Sequence, residues 1–205
     1  MRVGNSIIRV QMQNGIFLRA CCLIRKPIAM AAWFSLLAGS NYGFCAETPL
    51  TEYQVKSLFL LNFARYVNWP SDVFTAPDAP FEIGVLGEGK FGGELAKTVE
   101  GKSVQGRPIF IRQIQTPEDS GKCHILFIGA SEKAGLVEIL NRIKTRPVLT
   151  VGETDQFMEQ GGVINFVKKE GKVRLEINLE AARRAKLEIS SKLLSVADVV
   201  KGKLK

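Results

Sequence analysis

The chain has 205 residues, 46% of them hydrophobic and 23% charged, the size and balance of a single globular domain. A formal net charge of +8 invites a nucleic-acid reading, but residues 1–46 carry Arg2, Arg9, Arg19, Arg25 and Lys26 with no acid, and beyond them basic and acidic residues interleave. Small groups such as Lys168-Lys169 and Arg183-Arg184 have no aromatic residues among them, which argues against a phosphate-tracking surface and against a nucleic-acid partner. A body of this size buries about 70% of its unfolded surface, so it needs neither metal nor disulfide to fold.

Residues 1–46 read as an export signal. Arg25-Lys26 closes a basic region, residues 27–39 (PIAMAAWFSLLAG) are uncharged and apolar, and Cys45-Ala46 supplies small residues before the acidic start Glu47-Thr48-Pro49. The expected cut follows Ala46, since the apolar run is shorter than the roughly 20 residues that span a bilayer. An uncleaved anchor and a lipid-modified Cys45 are the competing readings; Tyr42-Gly43-Phe44 lacks the Leu and small residues that usually precede a lipidated cysteine. The expectation is a periplasmic domain of residues 47–205. Cys123 is then its one cysteine, with no intramolecular disulfide, and its place ahead of an apolar run predicts a buried, inert thiol.

Helices and strands alternate along that domain. Residues 51–67 start with a capping box at Thr51 and Gln54, place Val55, Leu58, Phe59, Asn62, Phe63, Tyr66 and Val67 at helical spacing, and stop before Pro70. Residues 81–87 predict a strand, 91–99 a short helix and 108–114 a second strand. Residues 123–129, almost wholly apolar, predict a third and central strand. Ser131 is expected to cap a helix with the stripe Leu136, Ile139, Leu140 and Ile143, and residues 147–151 make a fourth strand. Residues 163–167 and 173–178 flank a Lys-Lys-Glu-Gly-Lys turn as an antiparallel hairpin, and residues 179–185 and 189–200 read as two terminal helices. The predicted fold class is α/β: a single domain with a mixed, mostly parallel sheet flanked by helices, a C-terminal antiparallel hairpin and terminal helices.

Catalytic motifs are nearly matched rather than met. Gly87-Glu88-Gly89-Lys90-Phe91-Gly92 satisfies G-x-G-x-x-G between a predicted strand and helix, but the next strand ends Ile111-Arg112-Gln113 where a dinucleotide site needs an acid. Gly101-Lys102-Ser103 lacks the leading glycine of a phosphate loop, Ala96 standing there, and follows a helix. The one histidine, His124, neighbours Cys123 in a strand, so the two point to opposite faces and cannot act as base and nucleophile. With no His/Cys cluster and with scattered acids, no metal and no cofactor is expected, and a binding or regulatory role is favoured over an enzyme.

The recognition site is expected on the polar face of the hairpin. Arg174, Glu176 and Asn178 alternate with Val173, Leu175 and Ile177, so they project from one face within about 14 Å. Arg174 suits a carboxylate or phosphate held through two parallel hydrogen bonds, with Glu176 and Asn178 orienting it and Arg65 a second donor if the first helix crosses this face. A solvated strand face with a local ion pair is the plainer alternative.

Taken in order, Tyr53-x-x-Lys56, Leu60-Leu61-Asn62-Phe63-Ala64-Arg65-Tyr66-Val67-Asn68-Trp69-Pro70, Val85-Leu86-Gly87, Cys123-His124-Ile125-Leu126-Phe127-Ile128, Pro147-Val148-Leu149-Thr150-Val151, Gly161-Gly162-Val163-Ile164, Glu176-Ile177-Asn178 and Ser190-Ser191-Lys192-Leu193-Leu194 resemble the YfiR-like family. The resemblance implies a periplasmic α/β protein without enzymatic activity. Its best-known member is a dimeric repressor that binds the periplasmic domain of an inner-membrane diguanylate cyclase and is relieved through an outer-membrane lipoprotein. A homodimer with those partners is the implied assembly here, without the paired cysteines of that member. A small-molecule-binding sensor subunit, and an enzyme using a carboxylate pair, are the alternatives.

Overall fold

The computed structural model describes residues 50–87, 89–116, 119–120 and 123–200; the expected export segment, with its cut after Ala46, lies outside the described residues. In chain order the elements are α1 (Glu52–Tyr66), β1 (Val67–Asn68), β2 (Phe81–Leu86), α2 (Phe91–Val99), β3 (Ser103–Val104), β4 (Arg107–Ile114) and β5 (Ile125–Ile128). There follow α3 (Leu136–Ile143), β6 (Leu149–Gly152), β7 (Ile164–Lys169), β8 (Lys172–Asn178), α4 (Leu179–Arg184), β9 (Glu188–Ile189), α5 (Ser191–Leu194) and β10 (Asp198–Val200).

Among the described residues an eight-stranded sheet has the order β10-β8-β7-β6-β5-β2-β4-β3, while β1 and β9 pair separately. Strands β4, β2, β5, β6 and β7 are parallel neighbours. The chain then reverses through Glu170 and Gly171, both at positive φ (52° and 74°), so β8 runs antiparallel to β7 as the hairpin pattern predicts. One face of the sheet carries Ile83, Val85, Ile125, Phe127, Leu149 and Val151 into a core with Leu60, Phe63, Leu95, Ala181 and Leu193 of the helices. The other carries Leu86, Leu126 and Ile128 against the full α3 stripe, Leu136, Ile139, Leu140 and Ile143. Helices on both faces explain why β5 is apolar throughout, and the mixed, mostly parallel α/β class is the one observed.

Three local expectations are corrected. The capping box forms, with the Gln54 N–H donating to Thr51 Oγ1 and the Thr51 N–H to Gln54 Oε1, and Phe63 and Val67 are buried as expected, yet the buried face of α1 also takes Lys56, Ser57, Leu60, Leu61 and Ala64, and Leu58 and Tyr66 are exposed. Lys56 and Ser57, polar residues on the inward face, conceal part of the stripe, and Leu58 and Tyr66 on the outward face mimic it. Ser131 does not cap α3; it lies in a short 3-10 turn, and Gly135 takes the cap position. Residues 189–200 are not one helix, because Ser190 begins the single turn α5 and the β-branched Val199-Val200 pair alongside β8 in β10.

Candidate functional site

At the β8 end of the sheet, alternation does what the sequence predicts for four residues. Leu175 and Ile177 are buried in the helical core, while Arg174 is exposed and Glu176 half-buried on the opposite face. The register sets Asn165 of β7 on one side of Glu176 and Asp198 of β10 on the other. Lys169 crosses this face, its Nζ 3.0 Å from Asp198 Oδ2 and 3.5 Å from Glu176 Oε1. The hydrogen bond to Asp198 is the main cause that lifts the Lys169 ammonium above its ordinary pKa, so it stays charged. A groove of about 450 Å³ lies alongside, lined by Lys169, Arg174, Ser195, Val196 and Asp198 among others. Sequence pattern conceals Lys169 and Asp198, since the first falls in the expected turn and the second in an expected terminal helix.

Asn178 and Arg65 are not brought to this groove. Asn178 is 1% exposed, because the last strand residue is also the N-cap of α4: its Oδ1 accepts the Ala181 N–H at 3.0 Å and its Nδ2 donates to the Met158 carbonyl. Arg65 is exposed on α1, and α1 packs on the Leu175 and Ile177 face, across the sheet from Arg174 and Glu176.

A second polar cluster sits at the N-terminal edge of the parallel strands. His124 is stacked between Phe74 (centroids 4.6 Å) and Phe81 (4.7 Å), and the Arg107 guanidinium lies 4.0 Å from the Phe74 centroid. Trp69 meets Phe81 edge-on and donates from Nε1 to the His124 carbonyl, which makes Trp69-Pro70 a packed corner. The Glu82 N–H donates to His124 Nδ1 at 3.0 Å, so the neutral ring carries its proton on Nε2. Cys123 points the other way, against Gly84, Ile114 and Leu126, as strand alternation requires. Burial, helped by the charge of Glu82, pushes its thiol up to about 11, which keeps it protonated at neutral pH.

Burial also holds His124 below its ordinary 6.5, with Arg107 acting in the same direction and the Glu82 carboxylate against it. Asp72 is the other carboxylate lining the adjoining cavity of about 500 Å³. The folded state therefore prefers neutral His124. Its contribution to stability is complete above the unfolded value of 6.5 and is lost as pH falls through the lowered folded value. Melting temperatures between about pH 8 and about pH 5 should fall in the wild type and change less in His124→Gln, which keeps an acceptor but cannot charge. Equal slopes for the two proteins would remove His124 as the cause.

At the opposite strand ends, the Gly87 turn packs closely against the Ser131 segment. Gly87 has φ 109°, a Cβ there would lie 2.6 Å from Ser131 Oγ, and Gln113 donates from Nε2 to the Gly87 carbonyl at 3.1 Å. Glu88 lies outside the described residues. Beside this turn Lys56, 5% exposed, has its Nζ 2.6 Å from both Glu52 Oε1 and Glu153 Oε2, and Glu153 Oε1 accepts the Ala130 N–H. Among the described residues no group of three His, Cys, Asp or Glu side chains is placed to hold a metal ion, and no helix is long and apolar enough to cross a membrane.

Among solved structures the chain is similar to a conserved domain protein from Vibrio cholerae O1 biovar eltor str. N16961, with 14% identity and a TM-score of 0.49 over 74% of this chain. It spans 61% of that protein's length. It is also similar to the ABC domain in complex with L-Trp from Streptococcus pneumonia, with 12% identity, a TM-score of 0.43 and coverage of 58% and 55% of the two chains. No curated protein matches it. The YfiR/HmsC-like family model matches residues 53–198, from the first turn of α1 to the first residue of β10, and the chain belongs to that family.

Proposed function

We propose that this protein is a non-enzymatic periplasmic inhibitor that binds, as a homodimer, the periplasmic part of an inner-membrane diguanylate cyclase and so lowers cyclic-di-GMP. The observation that carries this reading is the family match across residues 53–198. At family level the YfiR/HmsC-like proteins are periplasmic regulators of cyclic-di-GMP signalling. Release through an outer-membrane lipoprotein belongs to the same reading. Support from the chemistry is the groove by Arg174: two acids and two bases on a rigid sheet face suit a polar partner surface better than a reaction.

Deleting the gene is expected to raise cellular cyclic-di-GMP, and unchanged levels would sink the inhibitor reading. Within the protein, Arg174→Ala with Glu176→Ala should leave the fold intact, since Arg174 is exposed and Glu176 half-buried, yet restore cyclase activity. A folded double variant that still represses would move the recognition surface elsewhere. The small-molecule sensor remains the second reading, favoured by the cavity beside His124. A ligand-dependent rise in melting temperature, lost in a folded Thr75→Trp variant at an exposed position of that cavity's lining, would support it.

A further inference from the structure

The cavity of about 500 Å³ at the N-terminal ends of β2 and β5 is lined by Asp72, Phe74, Thr75, Glu82, His124 and Pro147 among others. What His124 presents to it follows by elimination. Phe74 and Phe81 cover the two faces of its ring, and Nδ1 accepts the Glu82 N–H. Its backbone N–H donates to the Glu82 carbonyl, and its own carbonyl accepts from Leu149 and from the Trp69 indole. The Nε2–H edge of the ring is left to meet the cavity, and among the described residues no group accepts from it. A donor held in a wall that is only 8% exposed favours any acceptor that enters.

The charges of the wall have one sign. Asp72 stands at the exposed rim and pairs with no cation among the described residues. Glu82 shares one oxygen, Oε2, with Arg112 at 2.9 and 3.1 Å. No lysine or arginine belongs to the described lining. Arg107 lies 4.0 Å from the Phe74 centroid on the face turned away from His124, since the imidazole fills the other face, and the Ala76 and Ala79 carbonyls hold it there. Pro80, Pro147 and the buried Val148 add apolar wall for a short hydrocarbon body.

We propose that this cavity binds a small organic cation bearing an uncharged hydrogen-bond acceptor, with the acceptor on His124 Nε2–H and the cation at the Asp72 and Glu82 carboxylates; it names the ligand class of the sensor reading above and rests on that reading. An anionic acceptor would make the same bond to His124 but would enter against two carboxylates. An amide or a hydroxyl makes the bond without that repulsion, and the cation at the other end of the molecule turns the carboxylates into an attraction.

The test is an NMR titration of the exported protein at about pH 7 with four probes of one carbon skeleton: 4-aminobutanamide, butanamide, butylamine and butanoate. The reporter is the Trp69 indole N–H, which donates to the His124 carbonyl. The expected result is millimolar binding of 4-aminobutanamide, weaker by about tenfold for butanamide and for butylamine, each of which lacks one of the two contacts, and no saturable shift with butanoate. Asp72 is exposed, so Asp72→Asn should keep the fold; it should weaken 4-aminobutanamide and leave butanamide unchanged. His124→Phe should weaken both amides and leave butylamine unchanged, and if that variant does not fold Asp72→Asn still decides. Butanoate bound as tightly as 4-aminobutanamide would overturn the ligand class and keep the sensor reading, and so would affinities unchanged by the substitutions. A cavity that takes none of the four probes would refute the ligand site and the sensor reading with it.

Discussion

Alanine at Gly162 is expected to destabilise the protein by about 2–3 kcal/mol, and alanine at Phe157 by about 3–5 kcal/mol. The Phe157 ring is fully buried between two stretches of backbone: a Cβ added at Gly162 would lie 2.0 Å from it, and one added at Gly152 would lie 2.3 Å away. Neither side can give, since moving the ring from one methyl drives it into the other backbone. Removing the ring leaves a cavity that two glycines cannot fill. The segment between β6 and β7 is held by this ring, by the Gly162 N–H on the Phe157 carbonyl and by the Asn165 amide on the Thr154 carbonyl. Met158 in turn accepts from Asn178, so loosening should spread to the end of β8 that carries Glu176. Urea unfolding measures the loss. A Gly162→Ala unfolding free energy within about 0.5 kcal/mol of wild type would mean the slot is soft.

Glu153→Leu should cost about 3 kcal/mol, and the double variant Lys56→Met with Glu153→Leu distinctly less than the sum of its single changes. Lys56 is on the inward face of α1, and burial alone would push its ammonium pKa down; hydrogen bonds and charge from Glu153 and Glu52 more than reverse this and hold it above its ordinary value. Glu153 is less exposed than Glu52, so it is the main counter-charge, and losing it leaves a cation in the interface between α1 and the strand ends. A Met keeps the long stem beside Tyr53 and Phe166 while removing the charge. Additive losses in a double-mutant cycle would show that the pair does not couple α1 to the sheet.

Much of the fold was legible because local chemistry and tertiary context agree in it. The capping box of α1, the α3 stripe and the Glu170-Gly171 reversal each follow from interactions within a few residues, and each is found in place. Legibility failed where a residue's role is set by something distant in sequence. Lys56 looks like a surface lysine until Glu153, 97 residues away, neutralises it. Asp198 looks helical until β8 offers Val199 and Val200 a strand to pair with. Asn178 keeps strand alternation and still leaves the polar surface, because the chain turns there and α4 needs its side-chain oxygen.

The order of the longer strands and helices from α1 to α4, the alternation that turns Arg174 away from Leu175 and the direction of Cys123 relative to His124 were determined by the sequence alone, since side-chain period and turn residues act locally. Tertiary structure alone decided which face of α1 is inward, that Lys169 and Asp198 join Glu176, that His124 is stacked neutral between two rings, and that β4 ends as an open edge. Those outcomes depend on strand order and on charges and rings brought together from distant parts of the chain, and their energies exist only once water has been excluded between them.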